Sequence, residues 1–398
     1  MTSVVTETGC QPVMIAAGGT GGHVFPAVAM AEALHKHGIT THFITDSRGS
    51  AILGKVQDNI LAIRAASPFS GSRWHRLLGS FQLMIGTIQA MLEAIRIRPA
   101  MIIGFGGYPS APPMLAGKLL GIPLMLHEQN AHMGRANRWL GRFANGLALS
   151  WKGTRGLPEN SHNCQRITGM PVRQAFHDIG SMAYQPPTAE GPVHLVIIGG
   201  SLGATIFSTA LPDALIQLPE TLKSRLILHQ QARPESVAAL RQRYAAADIK
   251  ATIQPFFDDM PSILRTAQLV ISRAGASMVA ELVAARRPAI LCPFPAAMDD
   301  HQTANARHIT DAGGGWLLAE KELTATAGAQ TLAKLIQQLA STPQQLTDAA
   351  DNLGKLQQPD AAETLCQFAI SIINRHHETG RKRLNKTAAK NSSKGVQS

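Results

Sequence analysis

The stretch VMIAAGGTGGHVFPAVAMAEALHKHG (13–38) decides how this chain is read. A short apolar run, Val13 to Ala17, has the length of a buried strand. Glycines follow at once, and apolar residues then return at helical spacing at Val28, Ala31 and Leu34. Strand, glycine turn and helix together make one supersecondary unit. The same plan recurs in VHLVIIGGSLGATIFSTALPDAL (193–215), once per half of the chain. That spacing predicts two Rossmann-like domains rather than a short-period repeat.

Outward from these two anchors, strand and helix signals alternate. THFIT (41–45), AMIIGF (100–105), PLMLHEQ (123–129) and GLALS (146–150) read as strands in the first half. RLILHQ (225–230), ATIQPF (251–256), LVISRA (269–274) and PAILCPF (288–294) do so in the second. Such alternation implies parallel sheets covered by helices on both faces. The fold class is therefore α/β, with two Rossmann-like domains facing each other across a cleft. The Pro-rich SMAYQPPTAEGP (181–192) leads into the second of them. The expected boundaries are 12–172 for the first domain and 173–355 for the second. A helix over 356–378 is expected to pack back on the first domain, before a basic, disordered tail at 379–398.

Composition agrees with this class and excludes others. The chain has 398 residues, 45% of them hydrophobic, enough for two cores. Aromatics are only 5%, while 35 glycines and 23 prolines suit many tight turns. Four scattered cysteines (Cys10, Cys164, Cys292, Cys366) form no CxxC pair, so a disulfide framework or structural metal is not expected. Residues 1–12 lack a basic segment followed by an apolar one, which predicts no signal peptide. No unbroken apolar run reaches the roughly 18 to 20 residues of a spanning helix. Of a net charge of +11, over half sits in 380–398, as Arg381, Lys382, Arg383, Lys386, Lys390 and Lys394. The simplest reading of that tail is a solvated segment. Its functional reading is attraction to an anionic surface, at about 1 kcal/mol per cation.

In doubly wound sheets, ligands bind beyond the carboxyl ends of the strands. The polar residues there are the candidates for chemistry. His23 directly follows Gly18-Gly19-Thr20-Gly21-Gly22, at a helix start that disfavours its protonated form, so it suits a general base. The loop misses the GxGxxG dinucleotide pattern, although Asp46 after the second strand would suit a ribose-binding acid. His127, Glu128, Gln129 and Asn130 run consecutively past a strand and read as a binding edge, with Glu128 a second candidate base. Gly199-Gly200-Ser201-Leu202-Gly203 is too short for a P-loop, but the Ser201 hydroxyl suits a phosphate.

In SRAGASMVAELVAARRP (272–288), Ala276, Ser277 and Met278 fall at a helix start. Glu281 lies one turn further in, and exposed N–H groups at such a start suit a diphosphate. The competing reading pairs Glu281 with Arg286 or Arg287 on the surface. PFPAAMDDHQTANA (293–306) adds Asp299, Asp300, His301, Gln302 and Asn305. Adjacent aspartates on an extended segment point opposite ways, which disfavours a metal site there. Finally, SPFSGSRWHRLLGSFQLMIGTIQAML (67–92) mixes Trp74, Leu77, Leu78, Phe81, Met84 and Ile85 with Arg73, His75 and Arg76. Its pattern fits an interfacial segment or a core helix with a polar face.

Seven segments occur in order: GGTGGHVFPAVAMA, GFGGYPSAPPMLAG, HEQN, TGMPVR, GGSLGA, RAGASMVAE and DDHQTANA. Together they resemble the MurG family of glycosyltransferases over about residues 12 to 375. The resemblance implies the GT-B form of the two-domain fold. It implies UDP-GlcNAc as donor and lipid I as acceptor, with inversion to a β-1,4 linkage that gives lipid II. It implies no cofactor and no metal. The implied partners are an anionic membrane surface and cell-wall synthesis complexes, with no nucleic acid. The implied location is peripheral, at the cytoplasmic face of the inner membrane. Thr20, Gly21 and Gly22 match donor-binding loop positions, and Asn130, Arg173 and Ser201 match donor-site positions. Ala276, Ser277, Met278, Val279, Ala280, Glu281 and Gln302 do likewise. Phe257 matches a position that flanks the uracil through its backbone. His301 stands where the family motif can carry a second Gln. Two rival readings are a UDP-GlcNAc 2-epimerase and a non-catalytic nucleotide-sugar-binding subunit.

Overall fold

The structure is a computed structural model that describes residues 11–19, 21–54, 59–65, 73–159, 164–200, 204–324, 327–358 and 360–394. The chain divides into two compact units, 1–129 with 133–171 and 360–398, and 130–132 with 172–359.

The described strands of the first unit are β1 (Val13–Ala16), β2 (Thr41–Thr45), β3 (Ile60–Ala62), β4 (Met101–Gly104), β5 (Leu124–Glu128), β6 (Gly146–Leu149) and β7 (Gln165–Ile167). They form one parallel sheet in the order β3-β2-β1-β4-β5-β6-β7. The order reverses between β1 and β4, with Ala16 level with Gly104. The chain segments leaving these two strands, the GGTGGH and GFGGY glycine clusters, therefore part at the switch point, where a doubly wound sheet opens a crevice. Strand β1 is wholly buried because helices cover both faces of the sheet.

The second unit repeats the plan. Its described strands are β8 (Val193–Ile198), β9 (Leu226–Gln231), β10 (Lys250–Gln254), β11 (Leu269–Ser272), β12 (Ala289–Leu291) and β13 (Gly315–Leu317), in the parallel order β10-β9-β8-β11-β12-β13. The switch point falls between β8 and β11. This places the loop after β8 and the helix Ala276–Ala285 at the crevice.

Three expectations change here. Residues 130–132 pack with the second unit although they follow a strand of the first. The C-terminal helix begins at Ala361 and runs to Lys394. Through Leu365, Cys366, Phe368, Ala369 and Ile372 it joins the first unit's core. Helical backbone thus replaces the disordered tail over 379–394, while 395–398 lie outside the described residues. The third change concerns the helix Arg73–Ile97. Its stretch Leu77–Ile97 is long and apolar enough, by length and composition, to cross a membrane. Polar residues such as Gln82, Thr87 and Glu93 interrupt it, so a search for unbroken apolar runs passes over it. Gly86 and Ala90 face the unit: a Cβ on Gly86 would strike the Arg64 carbonyl and Pro112. Leu77, Phe81, Met84, Ile88, Leu92 and Ile95 face outward as one exposed stripe at helical spacing.

Candidate active site

In the first unit the helix begins at Gly21, so Gly21, Gly22 and His23 form its first turn, where backbone N–H groups lack intrahelical acceptors. Thr20 lies outside the described residues. Asp46 does not reach toward a ribose. Its Oδ1 accepts the N–H groups of Gly19 and Gly49, each at 3.0 Å, and caps the helix Ser47–Leu53. Its Oδ2 accepts from the Tyr108 hydroxyl at 3.1 Å and from Arg48 Nε at 3.2 Å. The carboxylate is thus the clamp of the glycine loop, and its exposure is only 5%.

The polar run after β5 is also not a solvent-facing edge. His127, Glu128 and Gln129 are all buried. Glu128 Oε2 accepts the Gly134 N–H at 3.1 Å and the Asn137 side-chain amide at 2.9 Å, which fixes the turn into the helix Arg135–Leu140. A carboxylate committed in this way is poorly placed to collect a substrate proton. Burial drives the His127 imidazole down to about 4, so it is neutral. It lies 3.0 Å from the Gly169 carbonyl through Nε2. His23 is part-exposed, with Nδ1 3.2 Å from Gln129 Oε1. Gly107 lies beside the His23 ring at φ +71°, a backbone conformation that glycine adopts at no steric cost.

In the second unit Gly275 caps the helix Ala276–Ala285 in an extended conformation. That leaves the N–H groups of Ala276, Ser277 and Met278 at the helix start. Glu281 is one turn in, 7% exposed, beneath this end. Ser277 Oγ donates to its Oε1 at 3.4 Å, and Arg173 Nη2 stands 3.8 Å away. Burial pushes the Glu281 carboxyl up to about 7, against the opposing pull of Arg173 and Ser277. Arg286 and Arg287 are not its partners. Arg286 pairs with Asp351 at 2.5 Å, and Arg287 donates to the carbonyls of Leu264 and Arg265. Val279 and Ala280 are buried on the same helix.

Arg173 caps the helix Gln174–Gly180 and lies over the Phe176 ring, 4.8 Å from its centroid, which orients its guanidinium. Phe257 buries its ring, edge-on to His229 at 6.2 Å. Gln302 Oε1 accepts the Phe294 N–H at 2.9 Å, pinning the loop after β12. Asp299 and Asp300 sit in the left-handed region (φ +54° and +50°), not on an extended segment. Ser201 lies outside the described residues.

Two residues outside the sequence candidates also shape the site: Tyr108 and Asn137 hold Asp46 and Glu128. Gln129 stands against His23. Asn305 is fully buried, accepts the Ala131 N–H, and donates to Asn130 Oδ1 and the Ala274 carbonyl. It therefore explains why Asn130 packs with the second unit. The one sequence signal for Tyr108 was its position just beyond a strand, while Asn137 lies within a helix and gave none.

Two family models match these units: the glycosyltransferase family 28 N-terminal domain over residues 13–149, and the family 28 C-terminal domain over residues 194–365. With two parallel sheets and glycine turns at each switch point, the fold is that of a GT-B glycosyltransferase. Within that class, the chain belongs to the MurG family. A protein of Paramagnetospirillum magneticum named UDP-N-acetylglucosamine--N-acetylmuramyl-(pentapeptide) pyrophosphoryl-undecaprenol N-acetylglucosamine transferase is 44% identical, over 91% of this chain and 96% of the relative. A relative of the same name in Rhodospirillum centenum is 43% identical over 90% and 94%. The crystal structure of Acinetobacter baumannii MurG is 31% identical, with a TM-score of 0.70 over 91% of this chain and 99% of that one. A Listeria monocytogenes structure described as a UDP-N-acetylglucosamine 2-epimerase has a TM-score of 0.64 at 12% identity, a likeness of fold alone.

Proposed function

We propose that the protein transfers N-acetylglucosamine from UDP-GlcNAc to the MurNAc C4 hydroxyl of undecaprenyl-pyrophosphoryl-MurNAc-pentapeptide (lipid I), with inversion, to give lipid II. One observation carries this reading most directly. A helix start offering three backbone N–H groups stands over a buried carboxylate, in the domain that matches the family 28 C-terminal model. That combination suits a nucleoside diphosphate sugar. The N–H groups take the diphosphate, and the carboxylate takes the ribose hydroxyls.

In this reading the backbone around Phe257 flanks the uracil. Arg173, Asn130, Ser201 and Gln302 complete the donor site, with Gln302 toward the GlcNAc hydroxyls. Thr20, Gly21 and Gly22 of the glycine loop are further donor-binding residues in this reading. The acceptor hydroxyl attacks the anomeric carbon as the C1–O bond to UDP breaks. His23 takes the hydroxyl proton, and UDP leaves with the bonding electrons. The helix dipole and its N–H groups stabilise the negative charge that grows on the diphosphate. His23 is preferred to Glu128 because the Glu128 carboxylate is buried and holds the turn at Gly134.

A lipid-linked acceptor requires the enzyme at a bilayer surface. The exposed stripe Leu77–Phe81–Met84–Ile88–Leu92–Ile95 suits insertion among head groups. An apolar groove of about 420 Å³ runs beside it, with Lys118 among its lining residues. The helix lies on the unit with one face buried, which supports a peripheral location rather than a span.

The test is turnover with labelled UDP-GlcNAc and a lipid I analogue, followed by linkage analysis. The expected product carries a β-1,4 GlcNAc. UDP-ManNAc formed from UDP-GlcNAc alone would establish an epimerase instead. Transfer occurring only after a second protein is added would establish a binding subunit.

A further inference from the structure

Gln129 lies between two histidines, and its amide can face only one way. Its Nε2 is 2.7 Å from the Phe105 carbonyl oxygen, which can only accept. The amide nitrogen therefore occupies that corner, and Oε1 points to His23 Nδ1 at 3.2 Å. The same Nε2 is 3.1 Å from His127 Nδ1. His127 Nδ1 must accept there, and its proton sits on Nε2, facing the Gly169 carbonyl at 3.0 Å. Burial holds the His127 imidazole down at about 4, so the ring is neutral and carries a single proton. Backbone carbonyls fix both ends of this chain, and every link buried between them has one consistent proton placement.

From this arrangement we infer that Gln129 is a positioning residue for the transfer. It accepts the Nδ1 proton of His23 and so sets the imidazole in the tautomer whose lone pair is on Nε2. The inference rests on His23 as the base in the proposed reaction. A neutral imidazole has one basic nitrogen, and which one it is depends on the hydrogen bond made by the other. Gly106 and Gly107, both at positive φ, turn the chain beside Gln129 and the His23 ring.

The test reads the tautomer directly, by ¹⁵N NMR of full-length protein labelled at histidine, with His23 assigned through His23→Ala. The wild type is expected to show protonated Nδ1 and pyridine-type Nε2 at alkaline pH. Gln129→Met keeps the shape without the amide. It should mix or invert the tautomers and lower kcat about 10- to 100-fold, with donor KM within a few-fold.

A wild-type His23 protonated on Nε2 overturns the inference without any variant having to fold. So does a Gln129→Met protein with unchanged tautomer and kcat within about twofold. If His23→Ala itself keeps turnover within a few-fold, the base assignment falls and this inference falls with it. If His23→Ala is inactive while Gln129→Met is unaffected, only the role of Gln129 is lost.

Discussion

The two units carry the same strand–glycine–helix plan but treat polar groups at the crevice differently. In the first, Glu128 bonds Asn137 and the Gly134 N–H, Asp46 holds the glycine loop, and Gln129 holds the Phe105 carbonyl and one imidazole. The two carboxylates there are engaged by backbone and side-chain donors. In the second, Glu281 is nearly as buried, yet it has one long hydrogen bond and an ion pair at 3.8 Å, and its pKa rises toward neutrality. A buried carboxylate so weakly compensated marks a place shaped for a partner from outside the chain. In the proposed function, the first unit mounts the proton acceptor rigidly and the second binds the nucleotide sugar.

The sharpest way to break this contrast is His23→Ala. A mount for a base predicts kcat lower by about 10²- to 10⁴-fold, with UDP-GlcNAc KM within a few-fold, in steady-state assays. An equal loss in donor affinity would mean that His23 binds rather than accepts a proton. Next comes Glu281→Ala, where the losses should be reversed in kind. Donor affinity by calorimetry should fall roughly 10- to 100-fold, the scale of a hydrogen bond to a charged group.

The same carboxyl gives a pH signature. Its folded pKa of about 7 lies above the ordinary 4.5. Its contribution to stability is therefore complete below the unfolded pKa and is lost as pH rises through about 7. The loss approaches about 3 kcal/mol on the alkaline side, since each pKa unit is about 1.4 kcal/mol. Thermal melts without donor should show wild type losing stability against Glu281→Gln between about pH 5 and 8.5. Because ribose hydroxyls favour the ionised carboxylate, donor KM should fall over the same interval in wild type and stay flat in the variant. Smaller again is Phe81→Ser on the exposed stripe. Removing one inserted aromatic should weaken binding to anionic vesicles about tenfold, leaving turnover on a soluble acceptor unchanged.

Much of this contrast was legible in the sequence, because strand ends and glycine turns are local signals. The doubly wound order placed His23 and the Ala276 helix start at crevices without any coordinates. Within the run HEQN, His127, Glu128 and Gln129 were read as part of a binding edge but are buried, for a physical reason. Polar residues at a strand end look alike whether they meet solvent or each other, and only the third dimension brings Phe105, Gly134 and Asn137 to them. The helix Arg73–Ile97 was half legible: its stripe follows helical spacing, but which face is covered depends on Pro112 and the 111–120 helix. Asp46 could be read as a ribose-binding acid because spacing alone cannot tell a clamp from a receptor.

Asp46 also supplies the finest test of the comparison. Oδ1 holds two backbone N–H groups, and Oδ2 holds the Tyr108 hydroxyl and the exposed Arg48. Asp46→Asn keeps an acceptor for Gly19 and Gly49, and the Tyr108 hydroxyl can rotate to accept from the new amide. That variant should stay within about 0.5 kcal/mol of wild type in urea unfolding, as a cap-to-cap exchange does. Asp46→Ala removes the acceptor from both N–H groups and should cost about 1–2 kcal/mol. If Asp46 serves only as a clamp, both variants should keep the donor affinity of wild type. A loss of that affinity in Asp46→Asn, with stability intact, would make the first unit's carboxylate a ligand group like Glu281, and the division between mount and receptor would not hold.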